Sequence, residues 1–345
     1  MLRKILLKIL LCLVIVIALI SCVVGYYCLR WPYQLKYAEQ TSFSTRIWEP
    51  LKILIESEPN EAKEEQLAID VEAFRGNWKK VQELTQNDEG STFKAYYHNL
   101  SLAYQGMLAD SLLHHFAPFD DALFLPLLES TGYAKVLSAG EAWWACGDLT
   151  FAEHATMLGM IFSPRHTGTR AMMRLTQINI AAGDSAAAAK YIRMLKKTPQ
   201  HRRWAEKMEE RLPGLQLKEE KDIVRLRYHY QESLRNVLDN NPQKDIAHEY
   251  LLCLDLLIKD LIGFKEDVEK YGLTHTSRLY EEALLILMMN DPEMNQRWKN
   301  QIDNQTYADF SQFNALMQKD DKAALKRNFG HTYWYHYLYV EKNKS

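Results

Sequence analysis

The stretch 133–166, YAKVLSAGEAWWACGDLTFAEHATMLGMIFSPRH, decides the fold. An amphipathic run ends at Gly147-Asp148, a second starts at Leu149, and Pro164 closes the unit 17 residues after the glycine. Thr169 then opens another run that breaks at Gly183-Asp184, 36 residues beyond the first Gly-Asp, and Pro199 follows Pro164 by 35. A period in that range marks stacked helical hairpins, in which each unit buries its apolar face against the next. The fold class read from this stretch is all-α, an α-solenoid of helix-turn-helix repeats.

Composition agrees. The chain has 345 residues, 47% hydrophobic and 25% charged, with only 14 Gly and 10 Pro and no alternating Val/Ile/Thr runs. Such a chain buries a sizeable core in helices rather than sheets. Its formal net charge is −2, with Arg3, Lys4, Lys8 and Arg30 and no acid in the first 30 residues, so a nucleic-acid surface is not expected. Residues 190–211 are locally basic and read as a solvated helix face with i,i+4 pairing. Of the five cysteines, Cys146 and Cys253 stand alone without CxxC spacing, which gives neither a disulfide framework nor a zinc site.

Residues 9–29 carry no charge and are long enough to cross a hydrocarbon core of about 30 Å at about 1.5 Å per residue. Residues 1–30 therefore read as an N-terminal transmembrane signal-anchor. Arg3, Lys4 and Lys8 keep the N-terminus in the cytoplasm and put the body outside, while Tyr26, Tyr27, Trp31 and Tyr33 fit an interfacial aromatic belt. A second reading is a lipoprotein anchored at Cys22 of Leu19-Ile20-Ser21-Cys22, against which the apolar run continues to Leu29. Residues 31–60 read as one juxtamembrane helix or stalk packing through Trp48, Leu51, Leu54 and Ile55. A helical-repeat region, 61–212, follows, interrupted by an insertion around residues 114–131. Pro213-Gly214 separates it from a second repeat region, 215–345, which opens with one long charged helix over 219–239 and ends in an aromatic run.

The unit from Tyr133 resembles a tetratricopeptide repeat: Gly140 stands at the helix crossing, Ala152 and Gly159 face it, and Pro164 ends it. Trp143 stands where that family usually has tyrosine. The next unit keeps Leu175, Gly183-Asp184 and Ala188 but has Thr176 at a small-residue site, and the unit from Asp245 keeps little beyond register, pairing its helices about Lys259-Asp260. The phrasing NPQKDIAHEYLLCLDLLIKDL (241–261) with FGHTYWYHYLY (329–339) also resembles an uncharacterised group of membrane-attached bacterial proteins. The first resemblance implies a scaffold that binds a protein or peptide in a concave groove, and the second, with the anchor, implies a place in the bacterial cell envelope. The groove-facing positions are then Leu137, Glu141 and Trp144 in one unit and Arg170, Met173 and Gln177 in the next, at helical spacing.

Catalytic signatures are absent: there is no GxSxG, P-loop, dinucleotide fingerprint or HExxH, and four residues after His248 stands Leu252. His114-His115 and His331 with His336 do not share a helical face within either group, so no metal and no cofactor is expected. Asp120-Asp121 and Glu281-Glu282 read as solvated acids. Two other functions stay open, a lipid-anchored surface protein that captures glycans or other nutrients on an aromatic platform and an enzyme whose site has no known signature.

Overall fold

The structure, a computed structural model, describes residues 2–41, 43–87, 90–125, 133–163, 166–217 and 229–342. Among these residues the chain forms α-helices and no strand. It opens with α1 (Leu2–Arg30), α2 (Pro32–Thr41), α3 (Glu49–Glu56) and α4 (Glu61–Arg75). Next come α5 (Trp78–Thr85), α6 (Thr92–Ala103), α7 (Leu108–Ser111), α8 (Tyr133–Cys146) and α9 (Leu149–Phe162). After them run α10 (Thr169–Ala182), α11 (Ser185–Leu195), α12 (Arg202–Glu209), α13 (Tyr230–Asn240), α14 (Asp245–Leu257) and α15 (Leu261–Tyr271). The chain ends with α16 (Arg278–Asn290), α17 (Pro292–Trp298), α18 (Asn304–Gln318), α19 (Lys322–Phe329) and α20 (Tyr333–Tyr339). Pro164, residues 219–228 of the expected charged helix over 219–239 and the end of the expected insertion lie outside the described residues.

One joint recurs. Gly147 and Gly183 adopt φ of 86° and 82°, the left-handed region that only glycine enters without a Cβ penalty. The next residue, Asp148 or Asp184, donates its N–H to the carbonyl five residues back, Trp143 at 3.0 Å and Asn179 at 2.8 Å. The aspartate then caps the following helix, Oδ1 accepting from Phe151 N at 2.9 Å or Ala187 N at 2.8 Å. Lys259-Asp260 repeats every bond: Lys259 takes φ 65°, Asp260 N donates to Asp255 O at 2.8 Å, and its Oδ1 accepts from Gly263 N at 2.9 Å. Asp320-Asp321 does so again, with φ 52° and a cap on Ala324 N at 3.0 Å.

The chain divides into two compact units, 1–75 with 156–218 and 76–155 with 219–345. The expected first repeat region is thus shared between them, and α9 runs from one to the other. In the first unit, α1 is exposed through its apolar run, and Ile5–Arg30 is long and apolar enough to cross a membrane. Its last turns lead into α2, whose first-turn N–H groups at Tyr33 and Gln34 donate to the Glu64 carboxylate at 2.8 and 3.1 Å. The core joins Met172, Leu175, Ile180, Ala188, Ile192, Leu195 and Ala205 of α10 to α12. Beside it Arg170 and Asp70 form an ion pair, each about 1% exposed, with the guanidinium 4.7 Å above the Phe74 ring.

The juxtamembrane segment departs from expectation in two ways. It is two helices rather than one, because the end of α2 is held by partners from elsewhere: Glu39 O accepts from Thr169 Oγ1 at 2.8 Å, and Phe43 N donates to Thr167 Oγ1 at 3.4 Å. α3 also turns only part of the expected face inward, Leu54 and in part Leu51 but not Trp48 or Ile55. Glu49, Pro50 and Leu54 are buried, whereas Trp48 is 61% and Ile55 42% exposed. Trp31, expected in an interfacial belt, is buried beneath Arg30.

In the second unit α6 and α14 are almost wholly buried. Tyr96 of α6 reaches into α8, donating from its hydroxyl to Ser138 O at 2.6 Å and accepting from Ala142 N at 3.0 Å. It thereby bridges the i,i+4 pair that an undistorted turn joins directly, next to buried Gly140. Phe124, Trp143 and Tyr230 pack together, with Phe124 stacked on Tyr230 at 4.6 Å. Tyr333 and Trp334 of the aromatic C-terminal run are buried, the Trp334 indole donating to Glu282 O at 2.9 Å.

Candidate binding cleft

The six positions expected to line a groove are mostly inside. Leu137 and Glu141 are 5% and 4% exposed and Trp144 is half-buried, all in the second unit. In the first unit Arg170 is closed in by Asp70 and Phe74, Met173 is buried, and Gln177 is half-buried, accepting from Arg174 at 2.8 Å. The stripe at helical spacing is a packing stripe, because Cβ atoms at i, i+3 and i+7 point together whichever way the helix faces. A groove on these side chains would have to form from groups already enclosed by neighbours.

A cleft opens elsewhere in the second unit. A cavity of about 350 Å³ lies between α7 with its following turn and the helices α16, α18 and α19. His114 stacks on His331 across it, centroids 5.2 Å apart and rings inclined at 24°. Arg278 at the start of α16 donates from Nε to Glu282 Oε1 at 2.8 Å and from a terminal nitrogen to Asp309 Oδ2 at 2.6 Å. Gln305 holds the other Asp309 oxygen at 2.8 Å. Gln312 and Asn328 add neutral amides to the lining.

Glu282 does more than pair. Its Oε2 accepts from Tyr333 N at 2.6 Å, so one carboxylate fixes Arg278 on one side and the start of α20 on the other. Burial pushes its carboxyl up to about 7, opposed by the Tyr333 N–H and by Arg278. Asp309 sits below its ordinary value: partial burial acts upward, and the bonds from Arg278 and Gln305 outweigh it. His331 is held below the usual imidazole value by burial, then by His114 and Arg278, and is neutral at pH 7. Glu281, expected in solvent with Glu282, is also buried, accepting from Thr306 Oγ1 at 2.6 Å.

A second cavity of about 450 Å³ adjoins the first at Leu113. Phe116, Pro118, Phe119 and Val340 give it an apolar side, and Asp121, His336, Glu341 and Lys342 a polar one. Phe119 holds φ 51° with its ring 5.5 Å from His336 and 6.0 Å from the Lys342 ammonium, which pairs with Asp120. Both cavities fall in the roughly 300–1,000 Å³ range of ligand sites.

Spacing within one helix says nothing of His114 and His331, whose rings meet across 217 residues. No local signal carries that pairing. Among the described residues no group of three His, Cys, Asp or Glu side chains is arranged to hold a metal. Cys146 and Cys253 are buried free thiols, with burial pushing both well above the ordinary value.

The model of a family of unknown function, DUF6057, matches residues 2–340, and the chain belongs to that family. No curated protein and no solved structure matches the chain.

Proposed function

We propose that this DUF6057 member is a single-span, membrane-anchored scaffold of tetratricopeptide-like helical hairpins that binds a protein or peptide and performs no chemistry. Its body lies on the extracytoplasmic side of a bacterial cell envelope, tethered by α1 rather than by lipidation of Cys22. The paired cavities beside Leu113 carry the binding reading. One offers Arg278, Asp309, Gln312 and Asn328, the other Phe116, Pro118 and Phe119, and a peptide segment presents that same mix of charge, amide and apolar groups. A phosphate ligand fits less well, because Arg278 is already matched by Glu282 and Asp309.

The lining of the polar cavity includes no Ser, Thr, Cys or Tyr to act as a hydroxyl or thiol nucleophile. Neutral His331 in that cavity favours one second reading, an enzyme using the imidazole as general base on water. A photo-crosslinking residue at His114 or Phe116, in full-length protein in its native membrane, tests the proposal. Crosslinks from both sites that vanish with Asn328→Trp, while the helical melt is unchanged, are expected. Equal crosslinking with and without Asn328→Trp sinks the cleft as binding site, and cleavage of the captured chain that stops with His331→Gln moves the assignment to the enzyme.

A further inference from the structure

We infer that α3 is a second membrane contact, an interfacial helix that lays Ile47, Trp48 and Ile55 against the bilayer crossed by α1. The inference rests on the anchor reading of α1. The depth of α3 follows from how far down the anchor the body reaches. From residue 5 to residue 23 every side chain of α1 is exposed, but Val24, Gly25, Tyr27 and Cys28 are half-buried, and α3 and α2 are the helices packed on α1. These covered positions fall inside the uncharged run 9–29. At about 1.5 Å of rise per residue, Val24 lies only about 9 Å below Arg30, so whatever covers it sits at the level of the headgroups and upper chains.

α3 presents the right surface there. Trp48, Lys52 and Ile55 follow i, i+4, i+7 and form one exposed stripe, with Ile47 69% exposed beside Trp48. The opposite face, Glu49, Pro50 and Leu54, is buried against the body. Gln200 fixes the approach by donating to Ile47 O at 3.3 Å. An indole with two aliphatic side chains and a lysine whose stem can lie along the surface is the composition of an interfacial helix. Trp48 thereby takes the belt position that buried Trp31 does not fill. Arg46 and Lys52 are offset by Glu56 and Glu58 among the exposed charges of the segment, so apolar insertion drives the contact and anionic lipid is not required.

The test is spin-label depth in full-length protein reconstituted in vesicles of zwitterionic phosphatidylcholine. Cys12, Cys22 and Cys28 are replaced by serine, buried Cys146 and Cys253 are kept, and single labels are placed through Val14→Cys, Trp48→Cys and Ile55→Cys. Collision with dissolved oxygen is compared with collision with a water-soluble nickel chelate. The expected order of the oxygen-to-nickel ratio is position 14 highest, 48 and 55 intermediate, and free label in buffer lowest. If position 14 reads as lipid while 48 and 55 match free label, the α3 contact is overturned and the anchor stands. If position 14 also matches free label, the anchor reading falls and takes this one with it.

Discussion

Replacing Arg170 by methionine removes a guanidinium paired with the Asp70 carboxylate at a site where both side chains are about 1% exposed. Removing one partner of a buried ion pair costs about 3–5 kcal/mol, because water cannot reach the remaining charge to replace the lost interaction. The lost stacking of the guanidinium over Phe74 adds about 0.5–2 kcal/mol. Arg170→Glu, which sets a second carboxylate against Asp70, costs more than Arg170→Met. The double variant Asp70→Leu/Arg170→Met removes both charges and regains most of the loss, since a buried pair replaced by apolar groups is often neutral or better. Urea denaturation of the full-length protein in detergent, followed by far-UV circular dichroism, gives the four corners of the cycle. An Arg170→Met midpoint equal to that of the unmutated chain, or a double variant as unstable as the single ones, would refute a buried, mutually dependent pair. Either result would reopen Arg170 as a ligand-facing side chain.

Tyr96→Phe deletes the hydroxyl that bridges Ser138 O and Ala142 N, and is expected to lower stability by about 1–3 kcal/mol and speed hydrogen exchange at Ala142; unchanged exchange there counts against the bridge. Gly183→Ala places a Cβ 1.8 Å from Gln216 O at φ 82° and should cost more than about 2 kcal/mol, whereas Gly76→Ala, at φ 77° with nothing nearby, should cost about 1 kcal/mol; equal melts for the two would show that the close approach is absent. Burial pushes the Asp255 carboxyl up to about 9, helped by Asp267 against the Gln231 amide, so the folded chain holds a proton that the unfolded chain, near 3.8, has released. That contribution is complete below about pH 4 and is lost as pH rises through 9, and Asp255→Asn, which keeps the acceptor for Gln231, should flatten the fall; an unchanged pH profile of the urea midpoint would refute it.

The hairpin joints were legible because Gly-Asp acts locally: one residue needs a positive φ and the next needs a short acceptor. Lys259-Asp260 was found by register although lysine gives no such signal, and it reproduces the same bonds. Amphipathic spacing located the helices but not the side they turn inward, which is why Leu137, Glu141, Arg170 and Met173 read as a groove and Trp48 as core. The break after Thr41 has no Gly or Pro to announce it; Thr167 and Thr169, more than 120 residues away, accept and donate at that end. The cleft was invisible for the same reason, since His114 and Arg278 come together only after the helices between them have packed.

A connector that completes its own hydrogen bonds carries no information about the pieces it links. The backbone N–H bonds of the joint and its aspartate cap close on the two helices it joins, and glycine, lysine and aspartate all serve in the first place. Such a hinge is a splice site in the architectural sense: a hairpin can be inserted, deleted or duplicated at it during descent while the flanking helices keep their ends. Kinship among diverged relatives is then better traced through an aspartate cap preceded by a left-handed residue than through the identity of the core, which is free to drift so long as its volume is conserved.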